Sequence, residues 1–71
     1  MMNKRHNLIS FRKSIGFTID DMAVKLNCTR TYLNNIELGK ADGSIEFWTN
    51  FQDVFGVENY DMWDMLIKGD Q

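Results

Sequence analysis

With 71 residues, 44% hydrophobic and 25% charged, and no proline, the chain has the composition of one compact globular domain, which excludes a disordered tract and leaves no apolar run long enough to span a membrane. A basic start with no apolar stretch of signal-peptide length, and Cys28 as the single cysteine, point to a cytoplasmic protein without an intramolecular disulfide. The net charge of −2 conceals two halves of opposite sign: Lys4, Arg5, Arg12, Lys13, Lys25, Arg30 and Lys40 outnumber Asp20, Asp21 and Glu37 in residues 1–40, whereas Lys68 alone faces Asp42, Glu46, Asp53, Glu58, Asp61, Asp64 and Asp70 in residues 41–71. Two readings stand: the basic half faces a polyanion and the acidic half faces away from it, or both are ordinary solvated surfaces.

Leu8, Phe11, Arg12 and Ile15 fall at helical spacing and Gly16 follows them as a terminating glycine, so the first helix ends there. Thr18 predicts the start of a second helix. Its side-chain oxygen can accept from an unpaired N–H of the first turn, and Asp20 and Asp21 put acid at the positive end of the helix dipole, within reach of a capping box. Ile19, Met22 and Leu26 form the apolar stripe of this helix, and Asn27, a residue that tolerates left-handed backbone, ends it. Cys28 and Thr29 complete a tight turn, and the Thr29 hydroxyl is a further helix-start signal. The third helix is predicted from about Thr31 to Leu38, burying Leu33 and Ile36 and leaving Arg30, Thr31, Asn34 and Asn35 on its other faces.

The glycines of Gly39-Lys40-Ala41-Asp42-Gly43 mark a loop, after which Ser44 caps a fourth helix. Ile45, Trp48, Phe51, Val54 and Phe55 are its predicted apolar face, and Gly56 closes it. Asn59 opens a final helix over about 60–68, with Met62, Trp63 and Leu66 as candidates for burial. No segment alternates with the period of a half-buried strand, so the chain reads as a single all-α domain of five short helices.

Chemistry-bearing residues are sparse. His6 has no cysteine or carboxylate at metal-ligand spacing and reads as a solvated residue near the terminus, and Cys28 reads as a small buried hydrophobe. No acid and base, or nucleophile and base, stand at catalytic spacing, and no phosphate-cradling loop is present, so no enzyme, cofactor, metal or small-molecule substrate is expected.

Two short helices joined by a tight turn, the second presenting small polar side chains, form the unit that DNA-binding proteins lay in the major groove. Residues 8–57 resemble the Cro/CI (XRE) family of helix-turn-helix phage repressors. The residues that carry the resemblance are Leu8, Phe11 and Arg12, then Gly16-Phe17-Thr18, Met22-Ala23, Lys25-Leu26, Thr29-Arg30-Thr31, Leu33, Ile36-Glu37, Gly39-Lys40, Ser44-Ile45 and Phe55-Gly56-Val57. The implied fold is a five-helix lambda-repressor-like domain with helices two and three as the helix-turn-helix. Ala23 would let those helices cross closely.

The resemblance further implies a structural salt bridge between Arg12 and Glu37, base reading by Arg30, Thr31, Asn34 and Asn35, and phosphate contacts from Thr18, Tyr32 and Lys40. Ile19 departs from it, because the family commonly has glutamine there, supporting the recognition helix and touching phosphate. An isoelectric point near 5.1 implies few phosphate contacts and poor affinity as a monomer. Double-stranded DNA is therefore the expected partner of a homodimer, assembled through the acidic, aromatic C-terminal half with Phe47, Trp48, Phe51, Phe55, Tyr60, Trp63 and Met65, unless those rings all fill the core. The expected role is a transcriptional regulator of phage or mobile-element repressor type. The competing expectation is a protein-interaction module on the same scaffold, such as an antirepressor or an antitoxin-like partner.

Overall fold

A computed structural model of the protein describes residues 4–57. The described residues are all-α: α1 (His6–Ser14), α2 (Ile19–Lys25), α3 (Arg30–Glu37) and α4 (Ile45–Phe55), with no strand among them. The final helix expected over about 60–68, with Asn59, Tyr60, Met62, Trp63, Met65 and Leu66, lies outside the described residues. None of the described helices is long and apolar enough to cross a membrane.

Local chemistry accounts for the boundaries. Thr18, Thr29 and Ser44 are the N-caps of α2, α3 and α4, each in extended backbone and each accepting an N–H from three residues on. The third helix starts at Arg30, one residue earlier than its spacing suggested, because Thr29 supplies the cap. Three successive helices end in the same Schellman geometry. Phe17 donates to the Arg12 carbonyl (3.1 Å), Cys28 to Ala23 (3.0 Å) and Lys40 to Asn35 (2.8 Å), around positive-φ residues Gly16, Asn27 and Gly39.

Leu8, Met22, Ala23, Leu26, Leu33, Ile36, Phe47, Trp48 and Phe51 make the core, with Phe11, Phe17, Ile19, Cys28, Tyr32, Phe55 and Val57 packed around it. The aromatic rings meet edge-on or tilted: Phe51 lies 5.6 Å from Phe11 and 4.8 Å from Phe55, and Phe47 lies 4.8 Å from Trp48. The buried face of α4 differs from the predicted one. Phe47 is buried with Trp48 and Phe51, whereas Ile45 is 85% and Val54 41% exposed. Phe47, Phe51 and Phe55 follow one i, i+4 row, and Ile45 falls off it. Phe47, Trp48, Phe51 and Phe55 therefore supply the core rather than an outward patch.

Candidate nucleic-acid interface

The turn between α2 and α3 is held from both sides. Asn27 sits at φ 54°, a conformation that asparagine tolerates and bulkier residues resist. From α4, the Asn50 side-chain amide donates to the Leu26 carbonyl at 3.1 Å, satisfying an acceptor at the end of α2. Met22 and Leu26 of this segment are buried, and Ala23, at 4% exposure, leaves room for α3 to pack against α2.

This packing sorts the side chains of α3. Leu33 and Ile36 are fully buried, while Arg30, Thr31 and Asn34 are exposed along the outer edge. Asn35 is half-buried at the margin of that edge, and its carbonyl accepts from the backbone of both Lys40 and Ala41. Arg30 faces Asp20 of α2, with Nε 3.6 Å from Oδ1 and both side chains about two-thirds exposed. At that distance the contact is an ion pair rather than a hydrogen bond.

The three residues expected at phosphate differ in what already holds them. Thr18 is occupied by a reciprocal capping box: its hydroxyl accepts from the Asp21 N–H (3.1 Å) and its own N–H donates to the Asp21 carboxylate (3.0 Å). The Thr18 backbone N–H foremost, and the Thr18 side chain after it, hold the Asp21 carboxyl below the ordinary aspartate range. One backbone donor of this helix start is thereby committed to a carboxylate of the chain itself. The Tyr32 ring packs on Phe47 (5.7 Å) and its hydroxyl accepts from the Ser44 N–H (3.0 Å), which leaves the phenolic proton for another acceptor. Lys40 is exposed on the loop between α3 and α4.

That loop is pinned by a residue whose role sequence reasoning missed. Arg5, counted as part of the basic half, is 5% exposed. Its guanidinium donates to the carbonyls of Ile36 (2.6 Å), Ala41 (3.0 Å) and Asp42 (3.4 Å), and it lies 5.6 Å from the Trp48 ring centroid. Its backbone N–H donates to the Glu37 carbonyl at 2.9 Å, so the backbone and the cation of Arg5 both serve the negative end of α3. Burial lowers its pKa, with Asp42 opposing. Trp48 Nε1 donates to the same Asp42 carbonyl at 2.9 Å. Gly43 sits against this indole at φ 83°, where a Cβ would stand 2.7 Å from Nε1. No local signal marks Arg5, because its acceptors lie 31 to 37 residues away in sequence.

Arg12 lies across the other side of the α3 terminus. Its Nε donates to Glu37 Oε2 (2.8 Å), Nη2 to Oε1 (3.2 Å) and Nη1 to the Phe17 carbonyl (3.0 Å), with the arginine side chain 13% and the glutamate 4% exposed. The pair is bidentate and nearly buried, joining α1 to α3. With Arg5 and Arg12 turned inward, the cations that residues 4–40 present to solvent are Lys4, Lys13, Lys25, Arg30 and Lys40.

Cys28 is half-buried against the core, which pushes its thiol pKa up and keeps it protonated. His6 opens α1 on its exposed side. Among the described residues no group of His, Cys, Asp and Glu side chains converges to hold a metal ion. No protein-family model matches this chain, and no curated protein or solved structure matches it.

Proposed function

We propose that the protein is a sequence-specific DNA-binding transcriptional regulator, of phage or mobile-element repressor type, that lays α3 in the major groove as the second helix of a helix-turn-helix. The observation that carries this reading is the outer edge of α3, where Arg30, Thr31 and Asn34 stand exposed together on a short helix whose opposite face is fully buried. Arginine can donate twice to guanine O6 and N7, asparagine can pair bidentately with adenine, and the threonine methyl can pack on thymine. Asn35, at the margin, is the weakest of the four candidate readers.

Lys40 is the favoured phosphate contact, on a loop already pinned by Arg5 and Trp48, and the Tyr32 phenol, which accepts from Ser44, has a proton left to donate. Thr18 ranks below them, because its own N–H is already committed to Asp21. With so few exposed cations, a monomer would bind one half-site weakly, and a two-fold dimer on a near-palindrome would raise affinity by making the second contact intramolecular. The recognition helices of such a dimer would sit about 34–36 Å apart.

Selection from a randomised duplex pool, followed by anisotropy titration, tests the reading. Enrichment of a motif that Arg30→Ala no longer distinguishes at one base pair, at a cost of about 1–3 kcal/mol, is the expected result. Recovery of no motif would overturn it. Such an outcome would favour a protein-interaction module, for which the exposed Val24 (80%) and Ile45 (85%) and the net acidity speak.

A further inference from the structure

We propose that Asp20 is a positioning residue for base reading: it holds Arg30 by the Nε side, so that the two terminal nitrogens of the guanidinium are presented to a guanine and the pair reads as one unit. The inference rests on the DNA-binding reading above. Its basis is an ion pair, 3.6 Å between Arg30 Nε and Asp20 Oδ1, linking the first residue of α3 to the first turn of α2.

Three features set this pair apart from incidental surface charge. Arg30 opens α3, where the positive end of the helix dipole disfavours a cation, and the first turn of α3 holds no acid of its own. The counter-charge comes from the neighbouring helix instead. Asp20 is also unnecessary for capping α2, since Thr18 and Asp21 already satisfy each other there. Finally, both side chains are about two-thirds exposed, so the pair adds little to folding, and its orienting effect is its larger consequence.

The geometry suits guanine. A guanidinium carries five N–H donors in a rigid fork, and a carboxylate against Nε leaves the Nη1/Nη2 end for the O6 and N7 acceptors of one base. Restricting the side chain before contact lowers the ordering cost of forming that bidentate pair. The same carboxylate repels phosphate, so it weakens binding to unrelated duplexes.

The test compares the full chain with Asp20→Asn, Asp20→Glu and Arg30→Ala. Each is titrated by anisotropy, over a salt series, against the enriched duplex, the duplex with the Arg30-dependent guanine changed to adenine, and an unrelated duplex. The parent should prefer guanine by about five- to a hundredfold, and Arg30→Ala should abolish the preference. Asp20→Asn should reduce it by about two- to fivefold while binding the unrelated duplex more tightly, with a steeper salt dependence. Asp20→Glu should recover part of the preference, a rescue that a purely structural role for Asp20 would not produce. An unchanged preference in Asp20→Asn, or a motif with no Arg30-dependent guanine, would overturn the inference while leaving the DNA-binding reading intact. A parent that enriches no motif would overturn both.

Discussion

The two ends of α3 carry the same chemistry in opposite settings. At its C-terminal end Arg12 meets Glu37 at 2.8 Å with the two side chains 13% and 4% exposed; at its N-terminal end Arg30 meets Asp20 at 3.6 Å with both about two-thirds exposed. Desolvation decides the difference. The buried carboxylate at Glu37 has no water to fall back on, so its partner is indispensable to the fold. The exposed pair leaves the terminal nitrogens of Arg30 open to a ligand, because water and not protein surrounds them. An arginine beside an acid is thus structural at one end of the helix and available at the other, on burial alone.

Breaking the buried end should have the largest effect. Arg12→Ala leaves Glu37 uncompensated and the Phe17 carbonyl without its donor, and is expected to lower stability by about 3–5 kcal/mol, read as a collapse of the urea midpoint. A variant melting within a few degrees of the parent would contradict the bridge's importance.

The pinned loop comes next. Gly43→Ala places a Cβ 2.7 Å from Trp48 Nε1 at φ 83°, so either the indole shifts off the Asp42 carbonyl or the loop opens. The expected loss is about 1–3 kcal/mol, with a change in tryptophan fluorescence in the folded state. Unaltered emission would mean that the loop absorbs the methyl elsewhere.

At the exposed end the expected effect on folding is small. Arg30→Ala should change stability by no more than about 1 kcal/mol, because it removes one solvated ion pair. A double-mutant cycle sharpens the contrast: coupling between Arg30 and Asp20 should fall at about 0.2–1 kcal/mol, well below that between Arg12 and Glu37. Equal coupling at the two ends would defeat the comparison.

The smallest effect is a pH dependence at Asp21. Its folded-state pKa lies below the ordinary value, so the stabilisation is present above the unfolded-state pKa and disappears as the pH falls through the folded one. The gap in melting temperature between the parent and Asp21→Asn should therefore be steady near neutrality and narrow in acid, below the ordinary aspartate range. A gap that widened there would reverse the sign of the shift.

Legibility in the sequence followed the distance between partners. Thr18, Thr29 and Ser44 could be read as caps because each bonds an N–H three residues away. Asn27 could be read as a helix end because its left-handed backbone belongs to that one residue. The face of α4 was harder: Ile45, Phe47, Trp48, Phe51, Val54 and Phe55 are all apolar, so more than one stripe fits the period, and the packing against Phe11 and Tyr32 selects one. Arg5 was illegible, since a cation beside Lys4 and His6 looks solvated until the end of α3 and Trp48 are brought over it.

The order of residues alone determined where helices begin and end and which edge of α3 is polar, because caps, left-handed terminators and helical periodicity act over a few neighbouring positions. Only the tertiary structure decided that Arg5 is spent inside, and the Arg12–Glu37 bridge was expected from the family resemblance and from no local pattern. Burial of a charge depends on carbonyls, carboxylates and rings that converge from distant segments, and no local pattern records that convergence.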